Sequence, residues 1–264
     1  MNIIVKPTPQ KRVTRNYQIL YQHIDCNFKL SIGSMLHFFT DLSLYHTEQS
    51  GFSFDYLEAN DYYWVMTAME IEIERYPMLN EEVIVSTEGY NLKKFNAYRI
   101  FDITDNERNR IASAKSIYML INHKRNRPMR IPDEMYDGYL IERNREDVFY
   151  IEQLSLPEEV ESQRNYLVDY RDIDTNQHAN NVCYAEWALE SLDYQFRKEY
   201  SCHKLTINYL KECLYNQTIS SVCGRDASLD AENRVSFRHA IYLNGESAQT
   251  QKAASLLCSH WHKT

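Results

Sequence analysis

A short motif occurs twice in this chain, and its repetition restricts the possible folds more than any other feature of the sequence. Residues 24–29 read Ile-Asp-Cys-Asn-Phe-Lys, and residues 173–178, 149 positions later, read Ile-Asp-Thr-Asn-Gln-His. Each copy precedes an apolar segment with helical spacing, at 33–51 and at 182–200. Strand-like segments follow each predicted helix, so the sequence predicts a helix and then an antiparallel meander, twice.

The predicted strands form two sets of four with a linker between them. They lie at 62–74, 82–88, 95–103 and 111–122, and then at 204–212, 217–223, 234–243 and 247–260. Segment 142–161 is charged, contains Pro157 and has weak periodicity, which is typical of a partly structured linker. We therefore expect an N-terminal domain at 1–141, a linker at 142–161 and a C-terminal domain at 162–264. Chance similarity is the competing interpretation of the repeat.

The composition is that of a globular protein rich in sheet. Hydrophobic residues make up 44% of the chain and charged residues 25%, with 21 Tyr against 6 Gly and 6 Pro. The net charge of −8 disfavours general nucleic-acid binding, which needs a basic domain or stripe. The six cysteines include no CxxC pair, so we expect reduced thiols rather than a disulfide framework.

The N-terminus gives no sign of a targeting segment. Its apolar stretch at 3–5 is too short for a secretory signal, and the basic residues Lys11, Arg12 and Arg15 follow it. No apolar run approaches the roughly 20 residues that a membrane helix needs. We expect a cytoplasmic protein.

The second copy of the motif carries groups suited to catalysis. Alternation along an extended segment would place Asp174, Asn176 and His178 on one face, where a carboxylate, an amide and an imidazole meet. Such groups can transfer protons and orient a substrate. The competing interpretation is a capped helix start, since Asp and Asn favour N-caps, but it leaves His178 unexplained.

Two longer stretches resemble a known enzyme family. Residues 174–184 read Asp-Thr-Asn-Gln-His-Ala-Asn-Asn-Val-Cys-Tyr, with Trp187, Leu189, Glu190 and Ser191 following, and residues 209–213 read Tyr-Leu-Lys-Glu-Cys. The first resembles the active-site segment of the plant and bacterial acyl-acyl-carrier-protein (acyl-ACP) thioesterases, and the second resembles their Tyr-Arg-Arg-Glu-Cys stretch. The resemblance implies an α+β fold of two tandem hotdogs, each an antiparallel sheet wrapped around a central helix. It also implies Asp174, Asn176, His178 and Glu212 as catalytic residues, without a metal or redox cofactor.

These residues suit thioester hydrolysis, which needs an activated water or nucleophile and donors aimed at the developing oxyanion. We expect Glu212 to activate water, Asn176 to orient its neighbours and His178 to position the carbonyl, with N–H groups of the helix near Val182 as further donors. Asp174 either attacks directly or polarises its neighbours. Cys213 is the alternative nucleophile, but on a regular strand it faces away from Glu212.

The N-terminal half lacks the catalytic set. The shift of 149 puts Lys29 opposite His178, and a second echo, 83–89 against 218–224, puts Pro77 opposite Glu212. We therefore expect one active site per chain, with the N-terminal half forming the acyl pocket, as the family resemblance implies. Candidate lining residues are Met35, Phe38, Phe39, Trp64 and Met66, although core packing is the ordinary role of such side chains.

Two further clusters carry weaker signals. The basic residues Lys124, Arg125, Arg127 and Arg130 form either a solvated loop or a docking patch for acidic acyl carrier protein. Lys93-Lys94 and the N-terminal basic residues are rival docking patches. Cys258, His260 and His262 alternate as metal ligands can, but a polar strand end is the favoured interpretation.

The leading functional hypothesis is hydrolysis of fatty acyl-ACP to free fatty acid, which terminates or diverts fatty acid synthesis. An acyl-CoA thioesterase of the same fold and a non-catalytic acyl-binding module are the alternatives. A monomer and a homodimer are both compatible with the tandem halves.

Overall fold

The structure is a computed structural model that describes residues 9–231, 233–244 and 252–263. In these ranges the helices are α1 (Ile32–Gln49), α2 (Phe54–Ala59), α3 (Asp133–Gly138), α4 (Asn181–Leu189) and α5 (Tyr194–Glu199). The strands of the N-terminal half are β1 (Arg12–Gln18), β2 (Tyr62–Ile73), β3 (Glu82–Lys93), β4 (Asn96–Thr104), β5 (Arg110–Asn122) and β6 (Arg127–Pro128). Those of the C-terminal half are β7 (Ser162–Leu167), β8 (Tyr200–Tyr209), β9 (Thr218–Arg225), β10 (Arg234–Leu243) and β11 (Ala253–Lys263).

The strands form one antiparallel sheet with the order β1-β3-β4-β5-β2-β8-β11-β10-β9-β7, and β6 pairs with β5. The order of the second half mirrors that of the first, and the halves join where β2 pairs with β8, from Ala68 opposite Asn208 to Glu72 opposite Lys204. This junction removes one exposed edge from each half. The predicted α+β class with antiparallel strands is confirmed.

The repeat at a shift of 149 is visible in the backbone. A 3₁₀ turn precedes each motif, at Tyr21–His23 and Tyr170–Asp172, and isolated bridges join Ile24 to Leu30 and Ile173 to Ala179. Each motif leads into a helix that packs against its own half of the sheet, and α1 also packs against α4.

Helix α1 has the predicted bounds to within two residues. Ser31 begins it by accepting a hydrogen bond from the Ser34 N–H, and Gly51 follows its end with φ of 92°, the left-handed conformation typical after a helix C-terminus. Met35 and Leu42 lie fully buried in the core between helix and sheet.

The single helix predicted at 182–200 is wrong, because the segment contains two helices. Asp193 accepts hydrogen bonds from the Gln195 and Phe196 N–H groups and so caps a new helix, α5. Tyr200 then begins β8, which ends at Tyr209 rather than at the predicted residue 212.

Most other predicted strand ends match within three residues, but β3 continues to Lys93, five residues past the predicted end. Residues 247–251 of the last predicted strand lie outside the described residues. The edge strands β1 and β7 were not predicted. Most of their side chains are at least partly exposed, so their sequences lack an apolar alternation.

The segment between α3 and β7 contacts both halves of the sheet. The Asn91 amide donates to the backbone carbonyls of Arg145 and Asp147, and the Asn208 amide donates to that of Glu152 and accepts from the Leu154 N–H. Because both asparagines are buried, their polar atoms depend on these bonds.

Among the described helices, none has the length and apolarity needed to cross a bilayer.

Candidate active site

The motif of the C-terminal half forms a tight turn just before α4. The Asp174 N–H donates to the His178 carbonyl (2.9 Å), and the Gln177 N–H donates to the Asp174 carbonyl (3.0 Å). Gln177 has φ of 68°, and the Asp174 carboxylate accepts the Asn176 N–H at 2.8 Å. The predicted alternation along an extended segment is therefore wrong. The turn itself gathers these side chains.

Glu212 reaches this turn from the segment that follows β8. The Ala179 N–H donates to the Cys213 carbonyl at 2.8 Å, so His178 and Glu212 sit next to a backbone hydrogen bond that joins the two segments. The Tyr184 hydroxyl, on α4, accepts the Cys213 N–H (2.9 Å) and lies 3.2 Å from the Lys211 carbonyl. Tyr184 therefore holds the backbone on both sides of Glu212. Sequence reasoning placed it only on the apolar face of a helix.

The His178 imidazole lies between two carboxylates. Its Nδ1 is 3.6 Å from Asp174 Oδ1, and its Nε2 is 3.6 Å from Glu212 Oε1. Both distances exceed those of good hydrogen bonds, although catalytic contacts are often long without substrate. His178 Nε2 is buried and has no hydrogen-bond partner among the described residues, while the Glu212 side chain is 46% exposed. The site thus combines a sheltered imidazole with a carboxylate that water can reach.

Cys213 faces away from this group. Its side chain is fully buried, and burial raises the pKa of the thiol, which disfavours the nucleophilic thiolate. Glu212 and Cys213 do not lie on a regular strand as assumed, since β8 ends at Tyr209. Their side chains nevertheless differ in exposure, as expected.

The start of α4 offers fewer free donors than expected. The Asn180 side chain accepts the Val182 N–H at 2.9 Å, and the Asn180 carbonyl accepts the Cys183 N–H at 2.9 Å. Asn180 therefore acts as an N-cap, and the N–H of Val182 is not available to a substrate.

A cavity of about 1230 Å³ connects the turn with the N-terminal half. Its walls include Asp174, Asn176, His178 and Glu212 on one side, and Trp64, Met66 and Arg99 of the N-terminal half on another. The volume exceeds that of a typical small-molecule pocket.

Three of the five expected lining residues lie elsewhere. Trp64 and Met66 line the cavity, whereas Met35 and Phe38 are buried in the core and Phe39 packs on Phe101 at 4.8 Å. The cavity instead meets a different face of α1, which presents Thr40, Ser43, Leu44 and Thr47. Residues 35 and 40 point about 140° apart, because a helix turns about 100° per residue.

One rim of the cavity adjoins the basic cluster at 124–130. His123 and Asn126 line the cavity, and the Tyr63 hydroxyl donates to Asn126 Oδ1 at 3.1 Å. Burial raises the pKa of Tyr63, and the nearby Glu212 carboxylate raises it further. Tyr63 therefore connects this rim with Glu212, a link that no local sequence pattern indicated.

The corresponding place in the N-terminal half lacks these groups. The Leu30 N–H donates to the Pro77 carbonyl, and in the C-terminal half the equivalent Ala179 N–H donates to the Cys213 carbonyl. Pro77 is therefore the counterpart of Cys213, and Tyr76 is the counterpart of Glu212. The sequence alignment was wrong by one residue, because strand register decides the match. Lys29 occupies the position of His178, and its ammonium bonds to Ser201 Oγ at 2.8 Å.

Cys258, His260 and His262 lie along β11. Cys258 Sγ is 3.7 Å from His260 Nε2, while His262 stacks on His203 with ring centroids 3.8 Å apart. Within the described ranges, no group of three or more His, Cys, Asp or Glu side chains is arranged to hold a metal ion.

Comparison with known proteins matches nearly the whole chain to the two domains of one family. The acyl-ACP thioesterase N-terminal domain model matches residues 10–139, and the C-terminal domain model matches residues 155–257. A chloroplastic acyl-(acyl-carrier-protein) hydrolase of Cuphea viscosissima is 28% identical over 92% of this chain and 62% of its own length. A chloroplastic palmitoyl-acyl carrier protein thioesterase of Cuphea hookeriana is 26% identical over 81% of this chain and 55% of its own. The chain thus spans about three fifths of the length of these relatives.

Solved structures share the fold. An acyl-ACP thioesterase from Bacteroides thetaiotaomicron has a TM-score of 0.78 at 22% identity, covering 96% of this chain and 98% of its own. The 12:0-ACP thioesterase from Umbellularia californica has a TM-score of 0.82 at 20% identity, covering 96% of this chain and 94% of its own. With both domain models matched in order, this chain belongs to the acyl-ACP thioesterase family.

Proposed function

We propose that this protein hydrolyses the thioester of a fatty acyl group carried by acyl carrier protein. The products are a free fatty acid and the carrier, so the reaction terminates or diverts fatty acid synthesis. The observation that carries the proposal is the His178 imidazole, 3.6 Å from a carboxylate on each side, in the wall of a cavity of about 1230 Å³. Family membership and the names of the relatives support the same activity.

In the proposed reaction Glu212 accepts a proton from water as the water oxygen bonds to the thioester carbon. The N–H of His178 stabilises the carbonyl oxygen as it gains negative charge. The carbon–sulfur bond then breaks and the sulfur takes up the proton that Glu212 accepted from water, which leaves the acid and the pantetheine thiol and restores the carboxylate. His178 Nε2 has no hydrogen-bond partner among the described residues, so it is available to a bound substrate.

The roles of Asp174 and Asn176 follow from the turn. The Asn176 N–H donates to the Asp174 carboxylate, which orients that carboxylate toward His178 Nδ1. Asp174 as an orienting group and Asp174 as a nucleophile that forms an anhydride both fit this geometry.

The two halves fit the proposed tandem hotdog architecture. In each, one long helix packs on an antiparallel sheet, α1 against β1 and β3 and α4 against β9, β10 and β11. The two family models support the proposed boundaries, which are 1–141, 142–161 and 162–264. The N-terminal model ends at residue 139 and the C-terminal model begins at residue 155.

Acyl carrier protein is the proposed partner, and the basic cluster at 124–130 is its proposed docking site. Arg125, Arg127 and Arg130 are exposed, and their loop forms a rim of the cavity through His123 and Asn126. Lys124 is tied to Asp61 at 2.8 Å, so the three arginines are the groups best placed for an acidic partner.

The first experiment compares donors. Purified protein is given acyl-ACP and acyl-CoA of equal acyl length, and release of free thiol is followed. We expect faster turnover of acyl-ACP, and a roughly 100-fold or larger loss of kcat in Glu212→Gln. Faster turnover of acyl-CoA would favour the coenzyme A alternative, and ligand binding without turnover would favour the binding module.

A second experiment tests docking by charge reversal. The double variant Arg127→Glu with Arg130→Glu should raise KM for acyl-ACP by roughly tenfold and leave KM for acyl-pantetheine unchanged. The matched control is Arg108→Glu, an exposed residue in the turn at the other end of β5. Equal KM values for acyl-ACP in all three proteins would exclude this patch.

A further inference from the structure

Arg99 is an unusual residue in the wall of the cavity. Its side chain is buried, with 7% of the residue exposed, and it is the one Lys, Arg, Asp or Glu that is buried in the described part of the chain. The residue lies on β4 and lines the cavity that also contains the candidate catalytic group. A buried charge costs considerable free energy unless an opposite charge or several hydrogen bonds compensate it.

The neighbours of Arg99 are neutral. Its Nη1 lies 2.9 Å from His46 Nδ1 and 3.3 Å from Thr87 Oγ1. Among the described residues no carboxylate oxygen lies within the 4 Å of an ion pair from this guanidinium. By contrast, Arg238, a half-buried arginine of β10, is paired with Asp226.

The hydrogen-bond directions show that these neighbours act as acceptors. His46 Nε2 lies 2.8 Å from the Gln10 carbonyl, which can only accept, so Nε2 carries the proton and Nδ1 presents its lone pair to Arg99. The Thr87 hydroxyl donates to the Ile100 carbonyl at 2.8 Å and likewise presents a lone pair. Burial, and secondarily the charge of Arg99, lowers the pKa of His46 to about 4, so the imidazole adds no charge. The guanidinium is held in place but not neutralised.

The fold does not require a cation at this position. Arg99 is paired with Gly89 on β3. The match of Tyr76 with Glu212 is a shift of 136 positions, which makes Arg225 the counterpart of Gly89, and Arg225 is paired with Phe237. A phenylalanine therefore occupies the equivalent place in the other half. The surrounding cavity wall is rich in oxygen, since Thr47, Tyr98 and Tyr139 line it with Arg99.

Arg99 lies far from the bond that would be cleaved. Measured along the sheet, three strand spacings, about 14 Å, separate β4 from β8, the strand that leads to Glu212. A group that contacts Arg99 while its thioester lies at His178 must therefore sit well down the acyl chain.

We propose that Arg99 binds an oxygen-bearing group remote from the thioester, so that the preferred substrates are acyl chains with a distal hydroxyl or carboxyl group. The inference rests on the proposed thioesterase activity and names its substrate class. A largely buried guanidinium binds a carboxylate most strongly and a hydroxyl less strongly. An unsubstituted hydrocarbon chain adds no acceptor for the guanidinium.

The test uses acyl-ACP donors of one chain length, with a methyl end that is unsubstituted, hydroxylated or carboxylated. For the wild-type protein we expect kcat/KM to be roughly 10- to 100-fold higher for the carboxylated than for the plain chain. Arg99→Met should remove this ratio, and Arg99→Lys, which keeps the charge but not the planar fork, should retain part of it. Because the readout is a ratio between donors, a general loss of active enzyme cancels.

A binding measurement separates this inference from the proposed activity. Amide analogues, in which nitrogen replaces the thioester sulfur, are titrated by calorimetry into wild type and Arg99→Met. Tighter binding of the hydroxylated or carboxylated analogue by wild type alone supports the role of Arg99 even if no donor is hydrolysed. Equal affinity for plain and oxygenated analogues in wild type, or a preference that survives in Arg99→Met, overturns it.

Discussion

Glu212 and Cys213 are adjacent in the chain, but their surroundings give them opposite chemical properties. Glu212 is half exposed at the cavity and 3.6 Å from the imidazole, whereas Cys213 is fully buried with a raised pKa. Water can therefore reach the carboxylate and not the thiol. In the proposed reaction, the side chain that faces the cavity is therefore the one that acts on water.

This difference predicts the outcome of two substitutions. Cys213→Ala should keep most of the thioesterase activity, since the thiol touches only protein, while Glu212→Gln should lose roughly 100-fold or more in kcat. The measurement is steady-state turnover of acyl-ACP, with thermal unfolding of both variants as the folding control. The reverse ranking would identify a cysteine enzyme.

Helices α1 and α4 begin in the same way, 149 positions apart, but only one of these starts faces the site. Ser31 caps α1 through the Ser34 N–H, and Asn180 caps α4 through the Val182 N–H. Asn180 also lines the cavity, and its N–H donates to the Asp172 carbonyl at 2.8 Å. The second cap therefore supports both a helix and the turn that carries His178.

The paired caps provide a matched experiment at the level of the element. Ser31→Ala and Asn180→Ala should each lower the free energy of unfolding by about 1 kcal/mol, the usual effect of losing an N-cap. Only Asn180→Ala should also reduce kcat, because it loosens the turn that carries His178. Chemical denaturation and turnover are measured on both variants, and an equal loss of kcat in the two would mean that Asn180 has no local role.

Across the whole molecule, imidazoles are buried in both halves. Burial lowers the pKa of His46 in the N-terminal half and of His239 in the C-terminal half to about 4. Each is neutral in the folded protein and takes up a proton on unfolding when the pH is below about 6.5. Their contribution to stability is complete above pH 6.5 and is lost as the pH falls from there toward 4.

We therefore expect the protein to be destabilised by mild acid. Each buried imidazole adds up to about 1.4 kcal/mol per pH unit to the slope of the free energy of unfolding in this range. Denaturation of His239→Gln at pH values between 4 and 7 should give a shallower slope than wild type. His37→Gln, which removes an exposed imidazole, is the control. The same slope in all three proteins would contradict this assignment.

The sequence by itself determined the features that depend on local pattern. The repeated motif, the helix at 33–51 and most of the strands follow from periodicity and turn chemistry, and the family resemblance follows from two contiguous stretches. Asp193 shows the limit of periodicity, since a single capping side chain divided a segment whose apolar spacing continued.

Only the tertiary structure decided the features that depend on strand register and burial. His178 and Glu212 are 34 positions apart and meet because the Ala179 N–H bonds to the Cys213 carbonyl. The cavity meets the face of α1 that carries Thr40 and Thr47, because the more apolar face packs against the sheet. Arg99 looked like an ordinary strand residue, and its buried, unneutralised charge emerged only when β4 took its place beside α1. Periodicity is a local property, whereas register and burial arise from contacts between distant segments. Those contacts determined where the candidate site residues lie.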